Sequence, residues 1–314
     1  DDARFSQVDK GISILDRYNV KATFYVLPGQ VVQRLNQWKE VVSNGHDIGN
    51  HSLVHPCSGN FPWAREKALE EYTTKEMIHE LDSANRLIKE LLGVVPSAFA
   101  YPCGQTFLGK GKETTSYVPL VAAMFETGRT WMDEGPNDPL FCDFARLTGI
   151  ELDGKSFKDI RQLLEEAKST GSWLILAGHE MDSGGIQTSL LSTIDSLCRY
   201  ATNPENGIWI DHVTAVGRYV RAGRGIPAHT EMLPYMNPVL PVDDRVEDLL
   251  SRMSLEEKIG QLNMPCVYFS ELGSTMEEKM DGCRRFAEGS FMEGVGPGGG
   301  FFTLANQILH EGPV

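Results

Sequence analysis

Two histidines four residues apart end the segment His46-Asp47-Ile48-Gly49-Asn50-His51-Ser52-Leu53-Val54-His55. A short buried strand is expected to run into them. The spacing of His51 and His55 predicts two imidazoles on one face of a helical turn. Two such nitrogens can bind one transition metal, but three protein ligands are usual where an open position must remain for water or substrate. A carboxylate is therefore needed. The segment is not the HExxH of a zinc protease, because Ser52 follows His51 and no glutamate stands there as base. Taken alone, the pair also reads as two polar surface histidines.

Three further segments carry groups of the right chemistry: Asp1-Asp2, Phe99-Ala100-Tyr101-Pro102-Cys103-Gly104, and Leu174-Ile175-Leu176-Ala177-Gly178-His179. In this order the four motifs resemble the polysaccharide deacetylase (NodB-homology) family, carbohydrate esterase family four, over about residues 1–224. Lys21-Ala22-Thr23-Phe24 adds to the likeness. The resemblance implies a distorted barrel of about seven β/α units and hydrolytic removal of acetyl groups from a carbohydrate. It implies Asp2, His51 and His55 as metal ligands, Asp1 as general base and His179 as general acid. The backbone N–H of Cys103, standing where the family has tyrosine, is implied as an oxyanion donor. Zinc is the expected ion, with cobalt or nickel suited to the same ligands.

The pattern departs from the family in places. Ala100 occupies the position of the arginine that steadies the catalytic aspartate. No Asp-x-x-x-Trp segment orients the acid histidine, so the partner of His179 is open, with Arg129 and Arg146 as candidates. The chain begins on its two aspartates, and a truncated start lacking the first barrel strand is expected. An inert, carbohydrate-binding remnant of the fold is the alternative in a different class. Read singly, Asp1-Asp2 is a solvated terminus, Cys103 a packing residue and Cys57 a buried thiol beside the metal loop. His46, His79 and His212 are expected to be structural or solvated. Trp63 and Trp131 either stack on sugar rings or fill the core.

Elements that position these groups follow from periodicity. Between residues 6 and 222 apolar strand-like runs alternate with helical stretches, the pattern of an α/β fold with a parallel sheet. Strands are expected at Val20–Leu27, His46–Gly49, Ala98–Tyr101, Leu120–Phe125, Trp173–Ala177 and Ile208–Ile210. Val32, Leu35, Trp38 and Val42 make one helical stripe ending near Gly45. Met77, Leu81, Ala84, Ile88 and Leu91 make another, with a Thr73/Glu76 capping box before it and Gly93 as a left-handed stop.

After Arg224 the composition changes. Residues 225–242 are proline-rich, lack periodicity and read as a linker. Beyond it Val246, Leu249, Leu250 and Met253 form an apolar stripe, followed by a Ser254/Glu257 capping box. The run from Asp244 to Leu262 resembles the opening of glycoside hydrolase family 3, the β-glucosidase and β-xylosidase kind. That likeness implies a covalently linked glycosidase module in an intact polypeptide, of which residues 243–314 are a partial, mainly helical piece. The family's nucleophile lies beyond residue 314, so no glycosidase activity is expected of the chain. The module's association with plant polysaccharide points to O-acetyl groups such as those of acetylxylan. N-deacetylation of chitin oligosaccharide or peptidoglycan is the close alternative. Gly298-Gly299-Gly300 reads as a turn, since the lysine and spacing of a phosphate loop are missing.

Bulk properties narrow the partners. With 314 residues the chain exceeds the roughly 250 at which single cores tend to split. Its formal charge of −14 repels nucleic-acid phosphates and anionic membrane surfaces. No apolar run reaches the 18 or so residues of a membrane span, and no targeting segment stands at the start. Secretion or a periplasmic location is expected of the intact protein. The six cysteines form no CxxC pair and no dense framework, so they assign no compartment.

Overall fold

The computed structural model describes residues 1–226, 235, 242–262 and 274–291. The chain divides into two compact units, residues 1–232 and 233–314.

The first unit is an α/β fold built around parallel strands that follow one another in chain order. Strands β1 (Thr23–Val26), β2 (Asp47–Asn50), β3 (Ala98–Ala100) and β4 (Thr127–Arg129) form one sheet. A parallel bridge from Arg129 to Leu147 carries the arc onward to β5 (Ile150–Glu151), which pairs in parallel with β6 (Leu176–Ala177). The result is a distorted barrel with β1 and β6 at its two edges. A cavity of about 560 Å³ lies between those edges, lined among others by Phe24, Ile175, Met181, Ile194, Ile210 and Val213.

Helices α1 (Ile12–Arg17), α2 (Leu35–Ser43), α3 (Thr74–Leu92), α4 (Val118–Met124), α5 (Phe157–Thr170), α6 (Leu191–Ala201) and α7 (Val213–Gly223) cover the strands. The boundaries of α3 follow directly from its residues. Thr73 accepts the Glu76 N–H while Glu76 returns the bond to the Thr73 N–H, and Gly93 closes the helix at φ 77°. Its apolar stripe enters the core, where Leu81, Phe99, Tyr101 and Phe125 pack as one cluster. On the other side Phe24 meets Trp38 edge to face, with ring centroids 5.5 Å apart, and Trp38 is fully buried. Gly49 in β2 is dictated by close approach, since a Cβ there would lie 2.4 Å from the Tyr25 ring.

Three expectations are corrected. Residues 120–125 form no strand; they lie mostly in α4, and the strand is Thr127–Arg129. A short apolar run does not distinguish helix from buried strand, and Pro119 at the helix start fixes φ for the first turn. Ile208–Ile210 forms no strand. The histidine pair sits on an irregular loop, because Ser52 and His55 have φ of 68° and 56°.

In the second unit, α8 (Val242–Arg252), α9 (Leu255–Leu262) and α10 (Met276–Ala287) are described. The Ser254/Glu257 box forms at the head of α9, with bonds of 2.7 and 3.1 Å. Val246, Leu249 and Leu250 of the expected stripe are exposed. Much of residues 225–242, most of the tail with Gly298-Gly299-Gly300, and Cys266 fall outside the described residues. No helix among the described residues is long and apolar enough to cross a membrane.

Candidate active site

The cleft at the carboxyl ends of the strands has a volume of about 930 Å³ and brings Asp1, Asp2, His51, His55, Cys103 and His179 to one place. Among the described residues, six of the eight non-glycine residues with positive φ line it: Asp2, Ala3, His55, Cys103, Met132 and Gln187. Such conformations cost about 1–3 kcal/mol each and persist only where the surroundings over-determine them. Here the surroundings do so.

The histidine loop is held from three sides. Asn50 at the end of β2 donates from Nδ2 to the Leu81 carbonyl and accepts the Ser52 N–H at 2.6 Å. Ser52 Oγ in turn accepts the His55 N–H at 2.9 Å. Buried Glu80 on α3 accepts the N–H groups of Leu53 and Val54 at 2.9 and 2.7 Å. Finally, Cys57 and Cys103 form a disulfide, tying the loop to the Pro102–Gly104 turn. The separate readings of Cys57 as a buried thiol and Cys103 as packing are thereby corrected.

His51 donates from Nδ1 to the Ala100 carbonyl at 2.8 Å, which leaves the Nε2 lone pair facing the cleft. Nε2 of His51 and Nε2 of His55 stand 3.3 and 3.6 Å from Asp2 Oδ1. That oxygen is buried and has no hydrogen-bond partner. The other carboxylate oxygen, Oδ2, accepts from Arg4 Nε and Nη2 at 3.2 and 2.9 Å, which fixes the group's orientation.

Burial lowers the pKa of His51, and it lowers that of His55 to about 4 with help from the His51 charge. For Asp2, burial opposes ionisation, but the His51 contact and the neighbouring positive charges outweigh it and hold the carboxyl well below the usual carboxylate range. With both imidazoles neutral and the carboxylate ionised, each of the three residues offers the cleft a lone pair. An orphaned carboxylate oxygen between two neutral imidazoles is the electrostatic environment a divalent cation fits. Tetrahedral zinc would place ligand atoms about 3.4 Å apart, and the three donors here lie within 4.8 Å of one another.

Asp1 lies beside this group, its carboxylate paired with the Arg129 guanidinium; both side chains are almost wholly buried. Arg129 is the register partner of Ala100 on the adjacent strand. The cation absent at position 100 is therefore supplied one strand over.

His179, at the end of β6, donates from Nδ1 to Asp153 Oδ2 at 2.7 Å. Asp153 Oδ1 also accepts the His179 N–H at 3.1 Å and Ser189 Oγ at 2.7 Å. Burial raises the Asp153 pKa, but these hydrogen bonds outweigh it and the net shift is downward. Asp153 is thus the partner of His179, and neither Arg129 nor Arg146 is. Trp131 stands edge-on to the His179 ring at 4.8 Å, brought there by the close approach that Gly104 permits. Trp63 is 64% exposed, stacked on Phe61 at the cleft's edge. The three remaining histidine expectations end differently in detail. His46 bridges the Ala22 N–H and Asp16, His212 caps α7, and His79 lies on α3 away from the cleft lining.

Motif reading does not find Arg4, Glu80 or Asp153, nor the pairing of Arg129 with Asp1. Glu80 leaves a trace in sequence, since it interrupts the stripe of Met77, Leu81 and Ala84 with a charge. Asp153 follows a strand too short to be read from alternation.

Residues 1–116 match the family model described as polysaccharide deacetylase. Over that stretch the chain is similar to polysaccharide deacetylases. Over 105 residues the chain is 30% identical to the peptidoglycan-N-acetylglucosamine deacetylase PgdA of Listeria monocytogenes, covering 33% of this chain and 20% of that one. It is 32% identical over 93 residues to chitin deacetylase 1 of Cryptococcus neoformans, covering 30% and 17%. The chain thus spans about a quarter or less of the length of the curated relatives it matches. A probable polysaccharide deacetylase from Pseudomonas aeruginosa shares the fold, with a TM-score of 0.50 at 14% identity over 72% of this chain and 76% of that one.

Proposed function

We propose that this domain hydrolyses acetyl groups from a carbohydrate with the aid of a divalent metal. The observation that carries the reading is the orphaned Asp2 Oδ1 between the two imidazole Nε2 atoms. Asp2, His51 and His55 would hold the ion, most suitably zinc, with cobalt or nickel acceptable to the same donors. Bound there, it would supply Lewis acidity to the acetyl carbonyl and acidity to water.

The chain's own residues divide the remaining work. Asp1, held by Arg129, is the base that takes the proton of the attacking water. The Cys103 N–H is not used by its own turn, whose bonds run from Gly104 to Tyr101 and from Gln105 to Pro102. It is the donor for the tetrahedral oxyanion, a role worth about 3–4 kcal/mol in other enzymes. His179, oriented through Nδ1 by Asp153, protonates the departing sugar oxygen or nitrogen from Nε2. Acetate and the free hydroxyl or amine leave.

For substrate, the likeness of residues 244–262 to β-glucosidases and β-xylosidases supports O-acetyl groups on a plant polysaccharide such as acetylxylan. It also supports the division into a deacetylase unit (1–224), a linker (225–242) and a glycosidase-derived piece (243–314). A second reading, N-deacetylation, is favoured by the names of the peptidoglycan and chitin deacetylases among its relatives. Acetate release from acetylxylan and from chitin oligomers, with chelator and with added zinc, separates the two. Release from neither polymer, nor from peptidoglycan, under any metal condition favours the inert carbohydrate binder.

A further inference from the structure

The His55 ring has a nitrogen on each side of the loop. Nε2 faces Asp2, whereas Nδ1 lies 3.6 Å from Cys57 Sγ. The His55 nitrogen and the sulfurs of Cys57 and Cys103 all lie within 4.8 Å of one another. In tetrahedral zinc, with metal–sulfur and metal–nitrogen bonds of about 2.3 and 2.1 Å, sulfur and nitrogen sit about 3.6 Å apart. The spacing already present between Nδ1 and Cys57 is that of two ligands on one ion. Only the sulfur–sulfur bond keeps the two cysteines from completing the set, and Cys103 lines the open cleft where a reductant can reach it.

We propose that reduction of the Cys57–Cys103 disulfide creates a second metal site, formed by the two sulfurs and Nδ1 of His55, that takes a thiophilic divalent ion. With a trialkylphosphine as reductant, the phosphorus gains the oxygen of one water, and that water's two protons go to the sulfurs. Both electrons from phosphorus enter the broken sulfur–sulfur bond. The metal then displaces the two thiol protons as it binds. A neutral imidazole has one lone pair, so an ion on Nδ1 draws His55 away from the Asp2–His51 group. The redox state of one disulfide thereby selects which side of the His55 ring binds metal. This inference concerns metal binding alone and stands whether or not the domain releases acetate.

Cadmium titration of the phosphine-treated chain, freed of reductant without air, reads the site through thiolate-to-metal absorption in the ultraviolet. Reduced wild type is expected to take one more thiolate-bound equivalent than the reduced C57S/C103S variant, and oxidised wild type none at this site. His55→Ala should weaken that equivalent by at least about tenfold, the loss seen when even an outer partner of a metal is removed. Equal absorption in reduced wild type and C57S/C103S would overturn the proposal, as would unchanged affinity in His55→Ala. Loss of far-ultraviolet circular dichroism on reduction alone would overturn it too, since the three groups would no longer be held together.

Discussion

The guanidinium of Arg129 closes on the Asp1 carboxylate inside the barrel, with 2% and 5% of the two side chains exposed. Their pairing follows from register, because Arg129 stands opposite Ala100 at the carboxyl end of the parallel pair β3 and β4. The Arg129 guanidinium also covers the Tyr25 ring, with its carbon 4.7 Å from the ring centroid.

Removing one member of a buried ion pair leaves the other uncompensated, at a cost of about 3–5 kcal/mol. Arg129→Met is therefore expected to lower stability by that order in denaturant unfolding and to reduce acetate release far more than Arg218→Met, which breaks only a surface pair with Glu126. Arg129→Lys should recover part of the activity, and equal activity in the methionine and wild-type proteins contradicts the assignment.

Asp153 orients His179 by accepting from both its Nδ1 and its backbone N–H. Asp153→Asn keeps the shape but presents an amide that can turn the imidazole to the wrong tautomer. A roughly 10²- to 10⁴-fold fall in kcat is expected, with KM and zinc affinity little changed. A variant in which KM rises while kcat holds would show that Asp153 serves substrate binding instead.

Glu80 links helix α3 to the histidine loop through two charge-assisted hydrogen bonds, each worth about 1.5–3 kcal/mol. Glu80→Ala should destabilise the domain by about 2–4 kcal/mol and weaken zinc binding about 10- to 100-fold. Zinc affinity measured by competition with a chromophoric chelator checks this. Unaltered affinity would mean that the loop holds its shape without Glu80.

The pH dependence of the metal-free protein follows from His55, whose pKa is lowered by burial from 6.5 to about 4. Below pH 6.5 the unfolded chain takes up a proton that the folded one refuses, so stability falls between pH 6.5 and about 4 and the loss is complete below that. One group shifted this far accounts for about 3 kcal/mol. Chemical denaturation of wild type and His55→Gln across this window should show the wild type losing more. Parallel curves would contradict a buried, neutral His55.

Much of the scaffold is legible in the sequence because its signals are local. The Thr73/Glu76 box, the Gly93 stop and the stripe between them need only neighbours three or four residues apart, and α3 has the expected limits. The strand after α4 is not legible, since Thr127-Gly128-Arg129 is short and lacks alternation, while the apolar run before it has the composition of either element. In the site, Asp2, His51 and His55 carry their chemistry in residue type and order. Their supports do not: Arg129 reaches Asp1 across 128 positions, and Asp153 reaches His179 across 26. Such pairs are set by strand register and barrel curvature, which no single segment encodes. The Cys57–Cys103 bond is hidden for the same reason, its halves lying 46 residues apart.

Metal uptake by Asp2, His51 and His55 is the property on which the chemistry of the cleft turns. Calorimetric titration of zinc into chelator-stripped, disulfide-intact protein should give one tight site in the wild type. That site should be lost in Asp2→Ala and in His51→Ala, whereas Cys142→Ser, at a free cysteine that does not line the cleft, should keep it. No uptake by the wild type, or uptake undiminished in Asp2→Ala, would contradict a metal site at these three residues.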